Sequence, residues 1–247
     1  VSVIRLVLAY DGTDFHGWAR QRGVRTVEGV VQDSLGRLLG APPKLSVAGR
    51  TDAGVHAEGQ VASFRAPNQT DPDRIQRALN GMLAPEVVVR TARRAPDAFD
   101  ARHSAAARLY RYRIDTSPVP DPFTARFVWH RPGPLRLGAM RAAARHLIGQ
   151  HDFASFCRTP QKGGTVRRLI RLSVSASGSE IDIRAEADGF LHQMVRSLTG
   201  TLAVVGEGRI GPDSLPSILA ARSRSAAGPV APPHGLTLVR VRYAPLS

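Results

Sequence analysis

The run Val1 to Tyr10 is apolar on both faces of an extended chain, interrupted only by Ser2 and Arg5. Side chains alternate between the faces of a strand, so this run predicts a central strand covered on each side. The turn Asp11-Gly12-Thr13-Asp14 closes it. The rest of the chain must supply partners and cover for that strand.

Helical and extended patterns follow in turn. Thr26 caps a helix whose stripe is Val27, Val30, Val31, Ser34, Leu35, Leu38 and Leu39, stopped by Ala41-Pro42-Pro43. Leu45 to Ala48 and Gln60 to Arg65 read as strands on either side of a loop. Asp71 caps a second helix, with Pro72 at its first position and Ile75, Leu79 and Met82 directed at the core. Strands follow at Val87 to Ala92 and Ala105 to Asp115, then an irregular connection marked by Pro118, Pro120 and Pro122. Met140, Ala143, Ala144, Leu147 and Ile148 give a helix. Leu169 to Ala176 and Ile181 to Ala187 form a hairpin across Ser177-Gly178-Ser179. A long helix carries Leu191, Met194, Val195, Leu198, Leu202 and Val205 in phase. Residues 222–235 are a loop, and Leu236 to Tyr243 a last strand. The predicted class is α+β: two similar mixed halves, 1–104 and 105–247, with mostly antiparallel sheets.

Hydrophobic residues make up 43% of the 247, which suits a globular chain. No stretch approaches 18 apolar residues, so no membrane span is expected. Val1-Ser2-Val3-Ile4-Arg5 lacks the basic region and cleavage site of a signal peptide, and a cytoplasmic protein is expected. Cys157 is the only cysteine, the eight histidines are scattered, and neither H-E-x-x-H nor C-x-x-C occurs, so no metal site is expected. Lys and Arg total 34 against 20 Asp and Glu, a net charge of +14, and only Lys44 and Lys162 are lysines. That excess points to a polyanion. Arginine suits bidentate phosphate contacts and base stacking. No helix-turn-helix or zinc-finger pattern argues for DNA.

One loop stands out: Ala48-Gly49-Arg50-Thr51-Asp52-Ala53-Gly54-Val55-His56-Ala57. Its glycines permit turns closed to other residues and leave room for a ligand against the backbone. Asp52 is either a turn aspartate bonded to its own backbone or a working carboxylate. His56 either touches a phosphate, orients its neighbours or is satisfied by backbone. Tyr110 and Tyr112 share a strand face, the ordinary pattern of a core; the alternative is a ring that stacks on a base. Arg196 lies off the stripe of its helix, as a solvated arginine or as partner of a buried carboxylate. Gly206-Glu207-Gly208-Arg209-Ile210-Gly211 matches G-x-G-x-x-G but follows a helix, so it reads as a helix end and not as a nucleotide site.

The loop resembles the active-site loop of the tRNA pseudouridine synthase A family. Four further blocks resemble that family in order: Tyr10-Asp11-Gly12-Thr13 through Phe15, Gly17 and Trp18; Arg108-Leu109-Tyr110-Arg111-Tyr112; Phe190-Leu191-His192-Gln193-Met194-Val195-Arg196; and Ala231-Pro232-Pro233 through Gly235, Leu236 and Tyr243. The resemblance implies isomerisation of uridine to pseudouridine at positions 38, 39 and 40 of tRNA, by a homodimer with a basic RNA-binding cleft between its halves and no cofactor. It implies Asp52 as the catalytic aspartate, Tyr110 as the ring under the target base, Arg50 as an aid to base flipping, and Arg196 as the partner of the aspartate. Ala19 and Glu28 depart from the glutamines of many members, outside the catalytic blocks.

The implied chemistry is economical. It breaks the C1′–N1 bond, turns the base and joins C1′ to C5, with no redox change and no hydrolysis. One carboxylate serves as nucleophile or base. Exclusion of water favours a neutral carboxyl and a nearby guanidinium an ionised one, which gives Arg196 a physical role. The rival expectations are an RNA-binding protein without catalysis and a synthase acting on another RNA.

Overall fold

A computed structural model describes residues 1–158 and 163–244; Lys162 lies outside the described residues. The chain forms two compact units, Val1–Arg108 with Thr237–Ser247, and Leu109–Leu236.

The first unit opens with β1 (Ser2–Tyr10), α1 (Val27–Leu39), β2 (Ser46–Val47), β3 (His56–Ala66), α2 (Pro72–Leu83) and β4 (Val87–Ala95). The first strand is central, as its sequence requires, with antiparallel partners β3 and β4 on its two edges. Its faces are covered unequally. Ile4, Leu6 and Leu8 are fully buried, whereas Arg5, Val7 and Ala9 are half-buried. Aromatic rings supply the thinner cover, with the Arg5 guanidinium carbon 4.9 Å from the Tyr243 ring centre and 5.7 Å from that of Phe99.

Both helices carry the expected caps. Thr26 accepts from the Gly29 N–H at 3.2 Å and Asp71 from the Asp73 N–H at 3.0 Å. The first helix stops at Gly40 (φ 85°), just ahead of the prolines. Met82 is exposed, against expectation. The end of α2 meets β4 through Asn80, whose side chain exchanges hydrogen bonds with the Val89 backbone at 2.7 and 3.0 Å, and this polar seam leaves Met82 outside.

Strand β5 (Ala105–Asp115) leads into the second unit. There follow β6 (Trp129–His130), α3 (Leu137–Arg145), β7 (Gly149–Asp152), β8 (Val166–Ser177), β9 (Glu180–Ala187), α4 (Met194–Gly206) and α5 (Leu215–Ala221). The strand order is β5-β9-β8-β7, with β6 parallel to the end of β5. The β8–β9 hairpin closes from Ser177↔Glu180 around Gly178 (φ 57°). Ile148 is exposed because α3 ends at Arg145 and its periodicity stops there. Helix α4 is buried at every residue except Arg196. Its Ser, Thr and Gly positions, which lie off the apolar stripe, are a close-packing face. The glycine-rich stretch 206–211 lies after this helix, with no strand before it.

The last strand, β10 (Leu236–Tyr243), returns to the first unit and runs parallel to β3, pairing Thr237 with His56 and Leu238 with Ala57. The approach is close: a Cβ on Gly59 would stand 2.5 Å from the Val239 carbonyl oxygen. The sheets are otherwise mostly antiparallel. No helix among the described residues is long and apolar enough to cross a membrane.

Candidate active site

The Asp52 loop spans the gap between β2 and β3, and its backbone is pinned on both sides of Asp52. Ahead of it, the Ala48 carbonyl accepts from Arg108 Nε at 3.1 Å and from an Arg108 terminal nitrogen at 2.8 Å. The Gly49 carbonyl accepts from Gln60 Nε2 at 2.6 Å. Thr51 is buried, with its hydroxyl 2.9 Å from that of Tyr10. Gln60 Nε2 also donates to the Tyr10 oxygen at 3.3 Å. Burial pushes the Tyr10 hydroxyl up to about 12, so it stays a neutral hydrogen-bonding group.

Segment 11–18 forms the second support. The Trp18 N–H donates to the Thr51 carbonyl at 3.0 Å, and the Gly54 N–H to the Phe15 carbonyl at 3.4 Å. Two glycines make the approach possible. A Cβ on Gly12 would overlap the Val55 carbonyl, and one on Gly17 (φ 83°) would come within 2.7 Å of the Thr51 carbonyl oxygen. Gly54 (φ 76°) turns the chain into β3 as the Val55 N–H reaches back to the Asp52 carbonyl at 3.2 Å. Glu28 accepts from the Arg20 N–H at 2.8 Å, two residues beyond this segment.

With Thr51 and Val55 buried on either side, Asp52 is half-buried and Arg50 is exposed. His56 is the first residue of β3, not part of the loop, because β10 pairs with β3 from its first residue. Its ring is buried, and Nδ1 accepts from the Gly12 N–H at 3.0 Å while lying 3.1 Å from Asp11 Oδ1. This is a contact that orients segment 11–18.

The other two candidates belong to the second unit. Tyr110 on β5 is buried, its ring edge-on to Phe190 at 5.1 Å and 89°. Tyr112, two residues on, is core: fully buried, with its hydroxyl donating to the Pro232 carbonyl at 2.8 Å. Arg196 stands in the first turn of α4, half-buried, where Nε donates to the Ala231 carbonyl at 2.7 Å and the Ala231 N–H returns to the Arg196 carbonyl at 3.1 Å. The chain enters this helix through Gln193 in a left-handed conformation (φ 61°). The structure thus gathers Arg50, Asp52 and His56 about one loop of the first unit, and sets Tyr110 and Arg196 on β5 and α4 of the second. Among the described residues no group of three or more His, Cys, Asp or Glu side chains is arranged to hold a metal ion.

Sequence reasoning missed the residues beneath the loop, Tyr10, Gln60 and Arg108. Tyr10 and Arg108 lay in blocks that resemble the family, and Arg108 was a cation on the strand face of Tyr110 and Tyr112, but neither was given a role; Gln60 read as an ordinary strand position.

The chain that folds into this basic α+β structure matches a known family of RNA-modifying enzymes. The family model described as tRNA pseudouridine synthase matches residues 6–104 and 143–244, and the chain belongs to that family. It is 48% identical to the tRNA pseudouridine synthase A of Frankia casuarinae, over 98% of this chain and 89% of that protein. The proteins of the same name from Acidiphilium cryptum and Geotalea uraniireducens are 46% and 41% identical, over 96% and 97% of this chain and 95% and 99% of theirs.

Proposed function

We propose that this protein converts uridine to pseudouridine at positions 38, 39 and 40 in the anticodon arm of tRNA, acting as a cytoplasmic homodimer. The observation that carries the reading is the fixed backbone on both sides of Asp52, a carboxylate held at a partly open position in a chain of this family. Asp52 is the nucleophile or base on a flipped-out nucleotide. Arg50, exposed beside it, fills the space that the base leaves. Arg196 gives the carboxylate a cationic partner once the base excludes water. Tyr110 stacks on the target base, and His56 keeps segment 11–18 beneath the loop. Extruding a base costs a few kcal/mol, and stacking on an aromatic ring returns about 1–3 kcal/mol.

Release of label from C5 of uridine in tRNA tests the reaction. The wild-type protein is expected to release label from tRNA with uridine at 38–40 and none from tRNA with cytidine there. Release from the cytidine tRNA would redirect the reading to other sites. For the ring, Tyr110→Phe is expected to keep the stack and tRNA affinity. Tyr110→Ala is expected to lose roughly 5- to 150-fold in kcat/KM, the equivalent of one stacked base. A fully active Tyr110→Ala would remove the stacking role.

A further inference from the structure

Segment 11–18 underlies the Asp52 loop, so whatever fixes the segment fixes the loop. Phe15 takes part from both ends of its side chain and backbone. Its carbonyl accepts from the Gly54 N–H, and its buried ring lies beneath the Arg25 guanidinium, whose carbon is 4.5 Å from the ring centre. The same guanidinium forks onto Glu86, with Nη1 to Oε1 at 2.9 Å and Nη2 to Oε2 at 2.6 Å. The backbone repeats the connection: the Arg25 carbonyl accepts from the His16 N–H at 2.9 Å, and the Glu86 carbonyl from the Asp11 N–H at 3.1 Å. Residues 15, 25 and 86 therefore form a clasp around the segment that seats the loop.

Both partners are about half exposed, at 45% each. An ion pair that open to water adds little stability. Its shape is more telling, because a planar fork that is stacked on a ring and bidentate on a carboxylate has one orientation, which lysine cannot reproduce. Hydrogen bonding from Arg25 lowers the Glu86 carboxyl below its ordinary value, and the reciprocal bonds raise Arg25, with Asp14 adding to the field.

We propose that Arg25 is a positioning residue for the reaction: clamped by Glu86 and stacked on Phe15, it sets the height of segment 11–18 and with it the placement of Asp52. The inference rests on Asp52 being the reacting carboxylate. The test is single-turnover pseudouridine formation at saturating tRNA, with tRNA affinity and melting temperature measured on the same proteins. Arg25→Ala is expected to slow the bound complex about tenfold, within the range that a small misplacement of a reacting group costs. Affinity and melting temperature are expected to stay close to wild type. Arg25→Lys restores only part of the rate, and adding Glu86→Gln to Arg25→Ala slows it no further. An unchanged rate overturns the proposal. So does a loss confined to affinity, which would make Arg25 a phosphate contact, a loss that follows unfolding, or independent effects of the two substitutions. Asp52→Asn run alongside separates the two readings. Turnover in Asp52→Asn sinks the carboxylate assignment, whereas an inactive Asp52→Asn beside a fully active Arg25→Ala overturns the clasp alone.

Discussion

Asp52→Asn is expected to bind tRNA and form no pseudouridine, a fall in turnover of at least roughly a thousandfold for loss of the reacting group. The amide keeps the size of the carboxylate, and the loop is held from both sides of Asp52 by contacts of other residues. These anchors are backbone groups and the side chains of Tyr10, Thr51, Gln60 and Arg108. Binding and folding should therefore survive while chemistry is lost. Retained affinity in a filter-binding assay, melting within a few degrees of wild type and no release of C5 label make up the expected result. Turnover above that of contaminating enzyme, or an inactive protein that also fails to bind tRNA, would count against Asp52 as the group that reacts.

The second large effect is structural. In α4 a Cβ on Gly200 would overlap the Pro229 carbonyl oxygen, and across the same seam a Cβ on Gly228 would lie 2.8 Å from the Thr201 Cα. Both obstacles are backbone, which cannot swing aside as a side chain does. The seam is also bonded, by the Gly228 N–H to Thr201 Oγ1 at 2.9 Å and by the paired contacts of Arg196 with Ala231. Gly200→Ala must force the helix from the 228–231 segment, at a cost of about 3 kcal/mol, the upper part of the range for overpacking. For a unit of this size that lowers the melting temperature by roughly 10 °C. It also disturbs the paired Arg196–Ala231 contacts, so on the role proposed for Arg196 activity should fall with stability. Gly138→Ala is the control. That glycine lies in α3 with open space around its Cβ position, and alanine there should stabilise by about 0.5–1 kcal/mol. Equal melting of the two variants would refute the account of the seam.

This seam also shows where sequence stops being legible. The Leu and Val stripe announced the helix, but Ser197, Thr199, Gly200 and Thr201 gave no sign that the opposite side was buried. Small polar residues look alike on a wet face and on a tight backbone contact, and only the partner segment distinguishes them. Strands and caps were easier. Thr26, Asp71 and Pro72 act through neighbours two or three residues away, so their geometry is written locally. The placement of Met82 was not, because it depends on Asn80 reaching a strand nine residues further on. The loop itself was visible as a crowded turn of Gly, Arg, Asp and His. The roles of its foundation residues were not written locally, because Tyr10, Gln60 and Arg108 act from 41, 11 and 60 residues away.

The parallel pairing of β10 with β3 has a consequence for how the protein comes into being. The strand that begins at His56, directly after the Asp52 loop, pairs with this neighbour through Thr237 and Leu238. A ribosome adding roughly 5–20 residues per second delivers the first unit's early strands seconds before that neighbour emerges. Throughout the interval the second unit, residues 109–236, is the one whose sequence is continuous, while the first waits on its last strand. On the role proposed for Asp52, the nascent chain carries its carboxylate early but in an unfinished setting, and is expected to become competent toward tRNA only when synthesis has passed the second unit. Products of premature termination ahead of residue 236 would then be inert bystanders in the tRNA pool, not uncontrolled modifiers of it.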